Sequence, residues 1–187
     1  MTIAFLVFER FTFLDVIGPY EVLARIPKAD ILFAAQQAKV YRDGWGKGLE
    51  VEHTLDKIEA CDVLVVPGGP GVDDVLNDGE VISWLRQTDT ISQWTTSVCS
   101  GSILLAKAGL LNGRNCTTHW KRKDQLREYD VRVTDERYVE DGKYITSAGV
   151  SAGIDMALFL ASKLIGDEGA KAIQRGIEWN PALNSRL

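Results

Sequence analysis

The chain has 187 residues, 45% of them hydrophobic and 25% charged, which is the length and composition of one compact domain (residues 1–187) with a full core. A net charge of −5, with basic residues scattered except at Lys121-Arg122-Lys123, excludes a surface dense enough to neutralise a phosphate backbone, so no nucleic-acid partner is expected. No apolar stretch reaches the roughly 20 residues of a membrane helix, so no membrane partner is expected either.

The opening MTIAFLVFER lacks the charged n-region and small-residue cleavage site of a secretory signal and reads as a buried first strand over Ile3–Phe8. A helix is predicted over Pro19–Ile26, with Tyr20, Val22, Leu23 and Ile26 as its apolar positions. A second apolar run rich in β-branched residues spans Asp62 to Val66, reads as a strand buried on both faces and ends at Pro67-Gly68-Gly69. A helix over Val81–Gln87 follows, then a strand over Thr95–Val98 and a buried helix over Ser102–Leu111, apolar nearly all round. Arg137–Thr146 holds Asp141-Gly142 between two short alternating runs, which predicts a hairpin at a sheet edge. The last strongly apolar helix spans Ile154–Ile165, with Gly166 as its cap. Strand and helix alternate, so the expected fold is α/β with a mainly parallel sheet and helices on both faces.

The three cysteines, Cys61, Cys99 and Cys116, form an odd count without metal-type spacing. They point to a reducing, cytoplasmic compartment and to no metal site. Cys99 lies in Thr96-Ser97-Val98-Cys99-Ser100-Gly101, where a buried strand meets a helix over small residues. Such a turn thrusts a side chain out above the carboxyl edge of the sheet, where α/β folds collect ligands. A cysteine among apolar residues is ordinarily an inert core residue, but the small flanking residues favour a nucleophile here. The nearby helix N-terminus is expected to favour thiolate over thiol. Cys61 and Cys116 keep the core reading.

Attack by such a sulfur needs groups that bind developing charge or move a proton. The N–H groups of Gly68 and Gly69, with that of Ser100, are candidate oxyanion donors, although Pro67-Gly68-Gly69 reads equally well as a tight turn. Asp15 follows the first strand and precedes Gly18-Pro19; local sequence favours a helix cap, yet it too falls at the carboxyl edge. His119, in Thr117-Thr118-His119-Trp120, is either a base for Cys99 or a structural histidine, and local sequence leans to the second. His53, amid Glu50, Glu52 and Asp56, is expected on the solvated surface.

Taken together, these motifs resemble the ThiJ/PfpI (DJ-1-like) superfamily, and within it the isocyanide (isonitrile) hydratase branch, over nearly the whole chain. The residues that carry the resemblance are Leu14-Asp15 leading to Gly18-Pro19-Tyr20-Glu21-Val22, then Val66-Pro67-Gly68-Gly69, Thr96 to Gly101, Ala108-Gly109-Leu110-Leu111, Thr117-Thr118-His119-Trp120 and Ala152-Gly153-Ile154-Asp155. The resemblance implies a flavodoxin-like three-layer sandwich (class I glutamine amidotransferase-like), usually a homodimer. It also implies a nucleophile at Cys99, a site role for Asp15 and Ser100, a small-molecule substrate and no cofactor. Much of the superfamily carries Glu at the position of Asp15, and the hydratase branch carries Asp. That branch commonly has Thr after the cysteine, where Ser100 here keeps the hydroxyl. Amidase-like and peptidase-like members tend to have His there.

Two other functions compete with isocyanide hydration. A glyoxalase-type enzyme would use the same sulfur to form a hemithioacetal with a reactive carbonyl. Similar domains are also fused to AraC-type DNA-binding regions, but Leu187 closes this sequence shortly after Asn180-Pro181. A regulator built this way would act as a thiol sensor through oxidation of Cys99.

Overall fold

The computed structural model describes residues 1–180; the tail from Pro181 lies outside the described residues. The strands are β1 (Thr2–Leu6), β2 (Asp30–Ala35), β3 (Lys39–Arg42), β4 (Gly48–Val51), β5 (His53–Thr54), β6 (Val63–Val66), β7 (Trp94–Val98), β8 (Asn115–Cys116), β9 (Arg132–Val133), β10 (Tyr138–Asp141) and β11 (Tyr144–Ser147). The helices are α1 (Phe13–Leu23), α2 (Val72–Val75), α3 (Gly79–Ile91), α4 (Gly101–Lys107), α5 (Lys123–Leu126) and α6 (Ala152–Gly176).

Seven strands form one sheet in the order β10-β11-β7-β6-β1-β2-β5. Every neighbouring pair in it is parallel except β10–β11, the expected edge hairpin, whose turn places Gly142 at a φ of 66°. Central strands of such a sheet are covered on both faces, which is why Ile3–Leu6 and all four residues of β6 are buried. Helices α1 and α6 pack together on one side, while α4 packs on β6 and β7 with α2, α3 and α5 around it. The result is the flavodoxin-like three-layer α/β fold. Two small two-stranded sheets, β3–β4 and β8–β9, lie outside it.

Several boundaries depart from the sequence pattern, among them α4, which ends at Lys107 rather than Leu111 as the chain turns at Ala108-Gly109. Helix α1 starts at Phe13 rather than Pro19, so Asp15 sits in its first turn and Pro19 in its interior. Pro19 cannot donate back to the carbonyl of Asp15, four residues earlier, and so a proline that reads as a helix start is an interior residue here. Helix α3 is capped by Asp78, whose side chain accepts from the N–H groups of Glu80 (3.0 Å) and Val81 (3.2 Å), and so begins earlier than expected. Gly166, with φ 80° and ψ 164°, breaks α6 where a cap was expected, but a further helical stretch continues to Gly176. His53 is on the edge strand β5, half-buried rather than freely solvated.

Strand ends fix the level of the candidate site. Val66 of β6 pairs with Ser97 of β7, and Val98 with Ser147 of β11, so three adjacent strands terminate together. Two glycines let the next segments close over that edge. A Cβ on Gly101 would lie 2.2 Å from the carbonyl oxygen of Val66, and one on Gly153 would lie 3.0 Å from Val98 and 3.2 Å from Pro19. Helix α4 therefore starts in contact with the end of β6. Since the obstacle at Gly101 is backbone, Gly101→Ala is expected to lower unfolding stability by about 1–3 kcal/mol. Urea denaturation checks this, and an unchanged midpoint would contradict the packing described.

Candidate active site

Between β7 and α4 the chain must reverse within two residues, and it does so by placing Cys99 in the left-handed region at φ 57°. For a non-glycine residue that conformation costs about 1–2 kcal/mol. Hydrogen bonds hold it there. The Cys99 N–H donates to the carbonyls of Ser147 (3.1 Å) and Ala148 (3.2 Å), and the Cys99 carbonyl accepts from Thr118 Oγ1 at 2.8 Å. Strand β11 and the Thr118 hydroxyl thus fix the elbow, and Cys99 is 7% exposed.

Asp15 is fully buried beside it. One carboxylate oxygen accepts from the Gly68 N–H at 3.0 Å. The other has no partner among the described hydrogen bonds, and the Cys99 thiol interacts with the same carboxylate. A Cβ on Gly68 would lie 2.5 Å from Ser100 N and 2.9 Å from Cys99 Cβ, so only glycine lets this backbone pass between Asp15 and the elbow. The Gly69 N–H donates to Ser100 Oγ at 3.0 Å, which orients that hydroxyl.

These contacts revise two sequence expectations. The N–H groups of Gly68 and Gly69 are not free oxyanion donors; they are spent on Asp15 and Ser100, and their role is to orient those side chains. The Ser100 N–H acts on the Cys99 thiol, lowering it, and is the one expected donor without another acceptor among the described hydrogen bonds. Nor is Cys99 a thiolate by default. Burial, followed by the charge of Asp15, pushes the thiol up to about 12, which outweighs the Ser100 N–H. Helix α4 has only seven residues and does not reverse this.

Burial also raises the Asp15 carboxyl to about 7, despite the opposing hydrogen bonds from Gly68 and Cys99. Above that pH the pair is a carboxylate facing a neutral thiol, with one proton between them. The carboxylate is then a base shielded from solvent beside a cysteine that lines the cavity.

His119 belongs to the same cavity but forms no triad. Its Nδ1 accepts from the Lys121 N–H at 3.2 Å, and its ring packs on Gly149, where a Cβ would lie 2.2 Å from Cδ2. Among the described residues no hydrogen bond links it to Cys99. Burial, then Lys121 and Arg122, lower its pKa, so the imidazole is neutral near pH 7. The cavity, of about 470 Å³, is lined by Cys99, Ser100 and Gly69 in its floor and by Arg10, Thr12, Pro70, Asp73, His119, Lys121, Arg122 and Val150 around them.

The sequence pattern missed Thr118, Arg10, and the paired Arg122 and Asp73. Thr118 had a signal in its place beside His119; Arg10 comes from a loop, and Asp73 and Arg122 from short helical turns, whose approach is set only by the folded chain. Cys61 and Cys116 are buried free thiols away from this cavity, and no cluster of three or more metal-ligating side chains occurs among the described residues. No helix among those residues is long and apolar enough to cross a membrane.

Known proteins share this arrangement at the level of sequence and fold. The model of the DJ-1/PfpI family matches residues 1–163. The chain is 36% identical over 182 residues to an isonitrile hydratase of Pseudomonas putida, covering 97% of this chain and 80% of that protein. It is 39% identical over 125 residues to the HTH-type transcriptional regulator CdhR of Pseudomonas aeruginosa, covering 66% of this chain and 37% of that one. A crystal structure of a ThiJ/PfpI family protein from Pseudomonas syringae superposes with a TM-score of 0.93 at 31% identity, covering 96% of this chain and 75% of the other.

The titration of Asp15 gives a test by alkylation of Cys99. The rate with iodoacetamide is expected to rise as pH climbs through about 7, because Asp15 then becomes able to take the thiol proton. In Asp15→Asn that step should vanish, leaving only a rise at far higher pH. Identical profiles in the two proteins would contradict the coupling.

Proposed function

The chain belongs to the DJ-1/PfpI family, and on that premise we propose that it is a cysteine-dependent hydratase of small molecules, converting isocyanides to N-substituted formamides. One observation carries the reading: the fully buried Asp15 carboxylate interacts with the Cys99 thiol and keeps one oxygen without a hydrogen-bond partner among the described residues. Such a pair adds S–H across a single electrophilic carbon. The P. putida isonitrile hydratase, matched over nearly the whole chain, supports the choice of substrate.

In this reading Asp15 takes the proton of Cys99 as the sulfur attacks the terminal carbon of R–N≡C. The carbon's electron pair then receives that proton from Asp15, giving a thioimidate, R–N=CH–S–Cys99. Water adds to the same carbon, with Asp15 accepting one of its protons and the nitrogen gaining one. Collapse of the adduct breaks the C–S bond, returns a proton to sulfur and releases R–NH–CHO. The sum is one isocyanide and one water consumed per formamide. Ser100 Oγ, which accepts from the Gly69 N–H and lies 3.5 Å from the Gly69 carbonyl, would turn its proton to the water or to the imidate nitrogen. The Ser100 N–H stabilises the sulfur as it gains charge.

Formamide release from a panel of alkyl and aryl isocyanides, measured with wild-type protein and Cys99→Ala in parallel, tests the proposal. Turnover in the wild type that falls at least 1,000-fold in the variant, on the order of the loss of a covalent nucleophile, is expected. Equal turnover in both, or hydration of methylglyoxal with none of isocyanides, would overturn it.

A further inference from the structure

We infer that the Cys99 cavity selects substrates carrying an anionic group, a carboxylate in the simplest case, distant from the reacting carbon. The observation is the sign of its walls. Arg10, Lys121 and Arg122 line the cavity against a single carboxylate, Asp73, in a chain whose net charge is −5. Clefts lined by one sign of charge concentrate ligands of the other.

The three cations are not equivalent. Arg122 is committed: its Nη atoms donate to both oxygens of Asp73, at 3.0 and 2.5 Å, and its Nε donates to Gln125 at 2.7 Å. Arg10 gives Nε and one Nη to Asp74, at 3.1 and 2.5 Å, and leaves the other Nη without a hydrogen bond among the described residues. Lys121 has no carboxylate partner among them; its ammonium lies 5.1 Å from the centre of the Trp120 ring, which is itself stacked on His119. Asp73 and Asp74 therefore offset the two arginines, and Lys121 leaves the rim with one unpaired positive charge beside a neutral histidine, while the Asp15 carboxylate is buried and does not line the cavity.

The backbone adds a second observation. Among the described residues Arg10 is one of four non-glycine residues in the left-handed region, at φ 59°, and with Cys99 it is one of two of these that line this cavity. Its N–H donates to the Arg42 carbonyl at 2.7 Å and its carbonyl accepts from the Gly71 N–H at 3.0 Å, so the strained turn is held at the cavity wall. Strain of this kind gathers where a side chain must be aimed. The cavity, at about 470 Å³, also exceeds what a bare one-carbon electrophile fills. With the hydratase reading, on which the substrate class rests, the substrate is an isocyanide whose substituent ends in a carboxylate; the anion preference of the cavity stands apart from that reading.

Two reagents that differ only in charge test it without any turnover. Rates of Cys99 alkylation by iodoacetate and by iodoacetamide are measured on the intact chain, with Cys99→Ala as the blank and N-acetylcysteine as the free-thiol reference. The iodoacetate-to-iodoacetamide ratio is expected to exceed that of the reference and to fall about fivefold in Lys121→Ala, the size of one partly screened charge at close range. It should be retained in Lys121→Arg and collapse toward the reference in about 0.5 M salt. A ratio at or below the reference, or one unchanged by Lys121→Ala, would overturn the inference. A companion assay compares isocyanoacetate with its methyl ester. Preference for iodoacetate with no isocyanide turnover would defeat the hydratase reading alone, and equal turnover of acid and ester with no iodoacetate preference would defeat this inference alone.

Discussion

The site turns on one proton held between two buried groups. Asp15 has no exposure and Cys99 almost none, and burial raises both, so neither side chain can ionise as it would in water. A carboxylate in that position is held by the Gly68 N–H on one oxygen and by its interaction with the Cys99 thiol. The same burial that makes the sulfur a poor thiolate at rest makes Asp15 a base near neutral pH. Thiol and carboxylate are thus not separately tuned: each sets the protonation of the other.

Much of the surrounding fold reads as the means of bringing these two groups together. Helix α1 begins early enough to carry Asp15 in its first turn, at the end of β1, while β7 ends level with β6 and β11 and turns sharply at Cys99. Gly68 passes between them with no room for a Cβ, and Gly101 lets α4 begin against the end of β6. The left-handed strain at Cys99 is held by carbonyls of the β11 segment below it and by the Thr118 hydroxyl. The hydrogen-bond partners of the elbow thus come from three separate stretches of chain, so the site is a property of the packed sheet edge and not of the elbow motif alone.

The sequence made the sheet legible because its central strands are buried on both faces, and an all-apolar run as short as Val63–Val66 suits a strand covered on both sides. The hairpin was legible because Asp141-Gly142 supplies the left-handed turn that its strands require. Cys99 stood out because small residues flank it on both sides. Asp15 was harder: its neighbours Gly18-Pro19 look like a helix start, so its local pattern is that of a cap, and only tertiary burial moves it inside. The protonation of Cys99 was not legible, since a helix N-terminus can be read from sequence but desolvation cannot. The donors of Gly68 and Gly69 were located correctly and assigned the wrong acceptors, because which way an N–H points depends on side chains 53 and 31 residues away in the chain. Lys121 was visible only as part of a basic run; its place at the cavity rim follows from the fold.

Family membership leaves the chemistry to be decided by the site, since proteins named as a hydratase and as a regulator match this chain over much of its length. The location of the shared proton is the point on which the chemical account stands. Infrared difference spectroscopy at pH 8, comparing wild-type protein with Cys99→Ala and with Asp15→Asn, reads it directly. The account predicts an S–H stretching band that disappears in Cys99→Ala, together with a carboxylate band, and no carboxylic-acid band, that disappears in Asp15→Asn. A carboxylic-acid band assigned to Asp15, with no S–H band from Cys99, would place the proton on the carboxyl and contradict it.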